Sequence, residues 1–339
     1  MSWLPAEVWL LVFEHVPWRE RFRLRAVSRE WRDLVQGARG PRFWSDVPVK
    51  DARNGLLTSC ENGNIPEATW LVDQFKLTAA DARASDNYAL RCACERGHLA
   101  VAEWLVDQFK LTAADARAGY NYALRRACEN GRLAVAVWLA DRFGLTAADA
   151  RTNGNYALHY ACERGHLAVT EWLVDRFELT VADVRANGNY ALRNACKRNH
   201  LAVAVWLADR FGLTTADARA NDNHALRLAC ANGHLEVAMW LAGRFGLTAT
   251  DARADGKYAL RNACAGGHLE VAVWLADRFE LTAADARAGG NHALRLACAN
   301  DRLEVAAWLA DRFELTAADA PGAVSGRVAA WLADRFGPA

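Results

Sequence analysis

The chain has 339 residues, of which 53% are hydrophobic, so it can bury an extensive core and disorder is excluded as its main state. Lys and Arg total 41 against 40 Asp and Glu, a formal charge of +1, which leaves no long-range basic field to hold nucleic acid or an anionic membrane. A prior of about 150 residues per domain predicts two domains, and the unusual counts of 14 Trp and 9 Cys need explaining by spacing. The short apolar run Val8 to Phe13 lies between Glu7 and Glu14, so it reads as helix rather than secretory signal. No window reaches the ~20 apolar residues of a membrane span. The expectation is a soluble intracellular protein whose cysteines are thiols.

Residues 1 to 50 carry nine basic and six acidic side chains, and five tryptophans: Trp3, Trp9, Trp18, Trp31 and Trp44. Three short helices are predicted, one after Pro5, one after Pro17 and one from the N-cap Ser28 through Trp31 and Leu34. A module of about fifty residues seldom buries enough surface to stand alone, so it calls for a partner or a docking surface. The string LPAEVWLLVFEHV-PWRERFRLRAVSREWRDLV resembles an F-box, with Leu4-Pro5, Glu7, Val12-Phe13, Val16, Leu24, Val27, Ser28 and Trp31 at the family's spacings and Phe43-Trp44 near its closing Leu-Trp. The resemblance implies that Leu4, Pro5, Val8, Val12, Phe13, Val16, Phe22, Leu24, Val27 and Trp31 form the face that docks on the Skp-type adaptor of a cullin-RING ubiquitin ligase. Arg21 departs from the family's usual Leu, with Phe22 beside it as a substitute apolar contact. The other reading of these helices is a cap sealing the first repeat.

From residue 53 to about 322 the chain repeats. Trp70, Trp104, Trp138, Trp172, Trp206, Trp240, Trp274 and Trp308 recur at a step of 34 residues, as do Cys60, Cys94, Cys128, Cys162, Cys196, Cys230, Cys264 and Cys298, leaving only Cys92 outside the ladder. Eight units are predicted, followed over 323–339 by a partial capping unit in which Val328, Ala329, Trp331, Leu332 and Phe336 match the second half of a repeat. Within a unit, Asn87 is predicted to cap a first helix that buries Ala89, Leu90, Ala93 and Cys94, and Gly97 to stop it in the left-handed conformation. The stop positions read Gly63, Gly97, Gly131, Gly165, Asn199, Gly233, Gly267 and Asp301, so the only replacements are residue types that tolerate a positive φ. A second helix is expected from about His98 to Phe109, and Thr112 opens a capping-box-like third helical turn ending near Arg117.

The pattern A-L-R-x-A-C-x-x-G-H-L-x-V-A-x-W-L resembles a divergent ankyrin repeat in its two helices and the Gly-His pair between them. The tetratricopeptide repeat shares the length, but its signature residues are absent. The segment LTAADAR departs from ankyrin, where a β-hairpin is usual, and is predicted helical. The expected fold is all-α: an ankyrin-like α-solenoid of about eight 34-residue repeats, each with two helices plus a short third turn in place of the β-hairpin, behind a three-helix F-box at 1–50.

Repetition also disposes of several tempting constellations. Units stacked ~10 Å apart place successive cysteines beyond the ~7 Å Cα separation of a disulfide, so the ladder reads as small core residues. His98, His166, His200, His234 and His268 recur at a position that becomes Arg132 and Arg302, which suits a hydrogen-bond donor to a neighbouring loop and not a zinc ligand. The repeated pairs Asp81/Arg83, Asp115/Arg117 and Asp149/Arg151 are expected to tie neighbouring turns together electrostatically. Catalysis needs one asymmetric site, and no phosphate loop, nucleophile elbow or HExxH motif occurs, so no enzyme activity, metal or cofactor is expected.

Function in a repeat protein is expected where the units differ. Cys92, Arg126, Tyr160, Asn194, Leu228, Asn262 and Leu296 occupy one register, a spread that predicts an exposed slot. It shares a face with Tyr88, Tyr122, Tyr156, Tyr190, His224, Tyr258 and His292 four residues earlier, and with Glu95, Arg96, Glu129, Glu163, Arg164, Lys197 and Arg198 three and four later. By the ankyrin resemblance this first-helix face lines a groove that binds a target protein, charged near the F-box and neutral beyond Arg198. The predicted role is substrate recognition in a ubiquitin ligase, with no nucleic-acid or membrane partner and a monomer outside the complex. The alternative is a non-catalytic scaffold or decoy. Lysine is scarce, with Lys50, Lys76, Lys110, Lys197 and Lys257 leaving 36 of the 41 basic residues as Arg. With the F-box and this ankyrin variant, that bias resembles proteins of giant DNA viruses of amoebae such as pandoraviruses, which would place the chain in the cytoplasm or nucleus of a host cell.

Overall fold

The computed structural model describes residues 49–319 and 327–337, so the expected adaptor-facing residues from Leu4 to Trp31 lie outside the described residues. The chain divides into two compact units, 1–123 and 124–339. The first holds the helices Val49–Glu61, Ile65–Phe75, Ala79–Ala82, Ala84–Arg96 and Leu99–Phe109, and Ala113–Glu129 carries the chain into the second. There the pattern continues through Leu133–Phe143, Ala147–Ala150, Thr152–Glu163, Leu167–Arg176, Val181–Lys197 and Leu201–Phe211, and on to Leu303–Arg312 and Arg327–Phe336. No strand occurs among the described residues, and the architecture is the expected all-α solenoid of two helices and a third turn per repeat.

Each repeat is built from the same local physics. The first helix buries Ala89, Leu90, Ala93 and Cys94, and the second buries Val101, Ala102, Leu105, Val106 and Phe109. Leu90, Leu105 and their equivalents are completely buried, each worth about 2 kcal/mol of apolar transfer. First helices pack directly on one another, as Thr152–Glu163 does on Val181–Lys197, so each repeat completes its core only against its neighbours. The cysteine ladder sits in this core, and burial pushes the Cys60 and Cys162 thiols up to about 12. Each repeated Trp meets the Phe five residues on edge to face, at 6.0 Å for Trp104 and Phe109 and 5.6 Å for Trp274 and Phe279, which fixes the end of the second helix.

The stop between the helices behaves as its residue types require. All eight positions have positive φ, including +65° at Asn199 and +55° at Asp301. A second constraint acts at Gly131, where an added Cβ would meet His166 Nδ1 at 2.7 Å. The imidazole of one repeat therefore lies over the stop of the repeat before it. From there His98 Nε2 donates to the Glu61 carbonyl at 3.0 Å and His234 Nε2 to the Lys197 carbonyl at 2.9 Å. Burial holds His166, His200 and His234 below the ordinary imidazole range, so they stitch repeats as neutral rings.

The third segment is the helical turn that the LTAADAR string predicts. In Ala79–Ala82 the Thr78 backbone N–H and hydroxyl both donate to Asp81 Oδ2, at 2.8 and 2.9 Å. The entry to the first helix differs from expectation. Asn87 is not a conventional N-cap: with Ser85 and Asp86 it forms three consecutive left-handed residues, φ +54° to +57°. The same turn recurs as Asn153-Gly154-Asn155 and Asn187-Gly188-Asn189. Its closing Asn is buried and reaches the next repeat, with Asn189 Nδ2 donating to the Asp217 carbonyl at 3.1 Å. That tie between repeats, which no local pattern encodes, replaces the cap. Tyr120 stands where other repeats have Gly or Asp, left-handed at φ +59° and 74% exposed.

At the C-terminal end Arg327–Phe336 docks on the last full repeat. Val328 is completely buried, and its backbone N–H donates to Asp301 Oδ1 at 3.3 Å.

Candidate target-binding face

The Asp and Arg of the third segment make the most regular polar feature, and they pair between repeats rather than within one. Arg83 Nε and Nη2 donate to the two carboxylate oxygens of Asp115 at 2.7 and 3.1 Å. Arg151 grips Asp183 and Arg185 grips Asp217 in the same bidentate way, while Oδ2 of each Asp also caps its own turn. The Arg151 and Arg185 guanidiniums draw the Asp183 and Asp217 carboxyls from the ordinary 3.8 down to about 2. The expectation that these pairs tie neighbouring turns together holds, and repetition with satisfied geometry makes them structural.

The first helices carry the residues that change. Of the expected target-facing positions, Tyr88, Arg96, Arg164 and Arg198 are exposed. Glu95, Tyr122, Arg126, Tyr156, Tyr160, Tyr190, Lys197, His224, Leu228, Asn262, His292 and Leu296 are half-buried, and the Tyr258 side chain lies outside the described residues. Cys92, Glu129, Glu163 and Asn194 are buried, which corrects the expectation of an exposed register. The slot lies at the seam where neighbouring first helices pack. Asn194 stays inside it, with its Nδ2 on the Tyr190 carbonyl at 3.2 Å, whereas Arg126, Tyr160, Leu228, Asn262 and Leu296 of the same register are half-buried. Varied residues are tolerated because one side of the slot is open, not because the whole position is solvated.

The glutamates of these helices have partners, whether half-buried as Glu61 is or buried as Glu129 and Glu163 are. In the first unit Arg96 Nη2 donates to Glu61 at 2.6 Å. In the second, Arg126 Nη1 and Arg164 Nη2 converge on Glu129 at 2.7 and 3.1 Å, and Arg198 reaches Glu163 at 3.0 Å. Tyr190 Oη adds a bond to Glu163 at 3.3 Å. Beyond Arg198 the acidic position becomes Lys197 and then Ala231, and the clamp stops.

A row of stacked cations and rings runs beside these clamps, and the composition of the variable register gave no sign of it. Arg91 lies 3.9 Å from the Tyr122 ring centroid and Arg125 4.6 Å from that of Tyr156, each cation covering the ring of the following repeat. His159 takes the cation's place in one repeat and stacks on Tyr190 at 4.7 Å, while Tyr160 stacks on Tyr156 at 3.9 Å. Burial pushes the His159 imidazole down to about 4, so it is neutral. The signal that could have found this row is the Arg three residues after each aromatic, present at 91, 125, 193, 227, 261 and 295 and broken only at His159.

Among the described residues no group of His, Cys, Asp or Glu is placed to hold a metal ion, and no helix is long and apolar enough to cross a membrane. The face offers charged forks, rings and backbone, which suits recognition. Parts of the chain match known families. Residues 1–40 match the F-box domain. Residues 124–174 match ankyrin repeats in many copies, and 226–319 match ankyrin repeats in three copies. No curated protein matches the chain. F-box and ankyrin modules are non-catalytic adaptor and interaction modules, so the chain is an F-box protein with a protein-binding repeat domain. It carries an F-box domain at its N-terminus followed by ankyrin repeats.

Proposed function

We propose that the chain is the substrate-recognition subunit of an SCF-type cullin-RING ubiquitin ligase. The observation that carries this is the F-box match over 1–40 on the same chain as the ankyrin repeats. The F-box, taken as 1–50, docks on a Skp-type adaptor through Leu4, Pro5, Val8, Val12, Phe13, Val16, Phe22, Leu24, Val27 and Trp31. The repeats over 53–322, closed by 323–339, hold a target protein on their first-helix faces, and the ligase's conjugating enzyme modifies the target. The chain contributes proximity, not chemistry. A monomer acting in the cytoplasm or nucleus fits this role, and the giant-virus setting rests on the arginine bias and the repeat variant.

A pull-down with purified adaptor tests the reading. Wild type is expected to bind, and Leu4→Ala combined with Val27→Asp to lose binding. Failure of the wild type would overturn it and leave a scaffold or decoy whose N-terminal helices only cap the array, the reading that Arg21 favours.

A further inference from the structure

We propose that the 124–339 unit docks an extended acidic segment of the target at the first-helix ends around Arg164 and Arg198, taking one carboxylate per repeat. This rests on the receptor reading and gives the target its chemistry.

Charge is segregated on this unit. The first helices and C-caps of three successive repeats carry Arg125, Arg126, Arg164, Arg193, Lys197 and Arg198 against only Glu129 and Glu163; Arg125 and both carboxylates are buried, so the charge left at the surface comes from the other five cations. The second helices of the same repeats carry four carboxylates, Asp141, Glu171, Asp175 and Asp209, against three arginines. In these three repeats the positive charge thus lies on the first-helix side. The absence of a long-range basic field favours a short acidic peptide over a nucleic-acid polyanion.

The arginines are also held in place. Glu129 and Glu163 keep about 6% and 11% of their side-chain surface exposed, whereas Arg164 and Arg198 keep 56% and 52%. Each buried carboxylate therefore fixes one edge of a guanidinium and leaves much of the group outside. A guanidinium has several N–H donors, so a fork anchored this way loses little side-chain entropy on taking a second carboxylate. Tyr160, stacked on Tyr156 beside them, supplies the rigid aromatic surface that recognition faces favour. Repeats ~10 Å apart match about three residues of extended chain at ~3.3 Å each, so an acidic side chain at every third position meets successive arginines.

The test is an anisotropy titration of the full chain with a labelled peptide carrying Glu at every third position between Gly and Ser. Saturable binding is expected, and its Gln counterpart should fail to bind. Arg164→Gln with Glu163→Gln and Arg198→Gln, which leaves Glu129 to Arg126, is expected to weaken binding about tenfold. Arg164→Lys with Arg198→Lys retains the charge but loses the fork and should fall between. Arg176→Gln with Arg210→Gln, on the second helices, should change nothing. Equal binding of the Gln peptide, an unchanged triple variant, or tighter binding of a single-stranded oligonucleotide would overturn the proposal. The triple variant should pull down the adaptor as wild type does. Loss of peptide binding by a wild type that still binds adaptor sinks this inference alone, and the reverse pattern sinks the receptor reading alone.

Discussion

Two sets of ion pairs link neighbouring repeats at nearly the same sequence offset, 32 residues for Arg151 to Asp183 and 35 for Arg164 to Glu129, and they do different work. The Asp of the third turn is fixed from both sides, by its own Thr and by the previous repeat's Arg, and the arrangement recurs within each unit, at Arg53–Asp81 and Arg83–Asp115 in the first and from Arg151–Asp183 to Arg287–Asp319 in the second. The Glu of the first helix is clamped by an Arg of the next repeat at Arg96–Glu61, Arg164–Glu129 and Arg198–Glu163, and the acidic position itself ends at Glu163. An interaction present throughout the array is explained by stacking. One that starts and stops has a position-specific reason, and the exposed forks it leaves are where recognition can differ from repeat to repeat.

Acid should break the first set as a whole. Asp183 and Asp217 titrate at about 2 when folded, drawn down by Arg151 and Arg185, against the ordinary 3.8. A carboxyl depressed by folding contributes stability that is full above the unfolded value and is lost as pH falls from 3.8 toward 2. Thermal melts across that window should show a steep loss, reduced when Asp183 and Asp217 are both Asn. Breaking one rung, Asp183→Ala removes a turn cap and strands Arg151, with an expected cost of about 2–4 kcal/mol in urea unfolding. The paired change Glu163→Gln with Arg198→Gln should cost under about 1 kcal/mol, and parity between the two would erase the distinction.

The helix stop belongs with the invariant set, and Gly131→Ala should cost about 1–3 kcal/mol, because it combines φ +70° with a Cβ pressed on His166. Gly131→Asn should cost less, since Asn199 already holds the equivalent position at φ +65°. At the small end, Arg210→Ala removes an exposed pair to Asp175 at 3.3 Å and should change stability by less than about 0.5 kcal/mol.

Much of this was legible in the residues alone. The 34-residue step of Trp and Cys gave the array, the Gly, Asn and Asp series gave the left-handed stops, and Thr112 with Asp115 gave the third turn, because each is a local conformational demand that a side chain advertises. The charges on the first helices were also visible, but as a solvated face. Depth was not visible. Cys92 and Asn194 are buried and Glu129 is enclosed, because the seam between adjacent first helices depends on how closely they approach.

Sequence by itself therefore determined the period, the helices, their stops and which residues enter the core, since 3.6-residue periodicity and positive-φ tolerance act within one repeat. Tertiary structure decided which repeat each polar group answers to. Arg83 reaches the Asp of the next turn and not its own, Asn189 bridges forward instead of capping, and Arg164 leans on a glutamate buried one repeat earlier. Two residues on one short turn diverge, whereas equivalent positions in stacked repeats converge, and only the packing distance between repeats brings such partners within bonding reach.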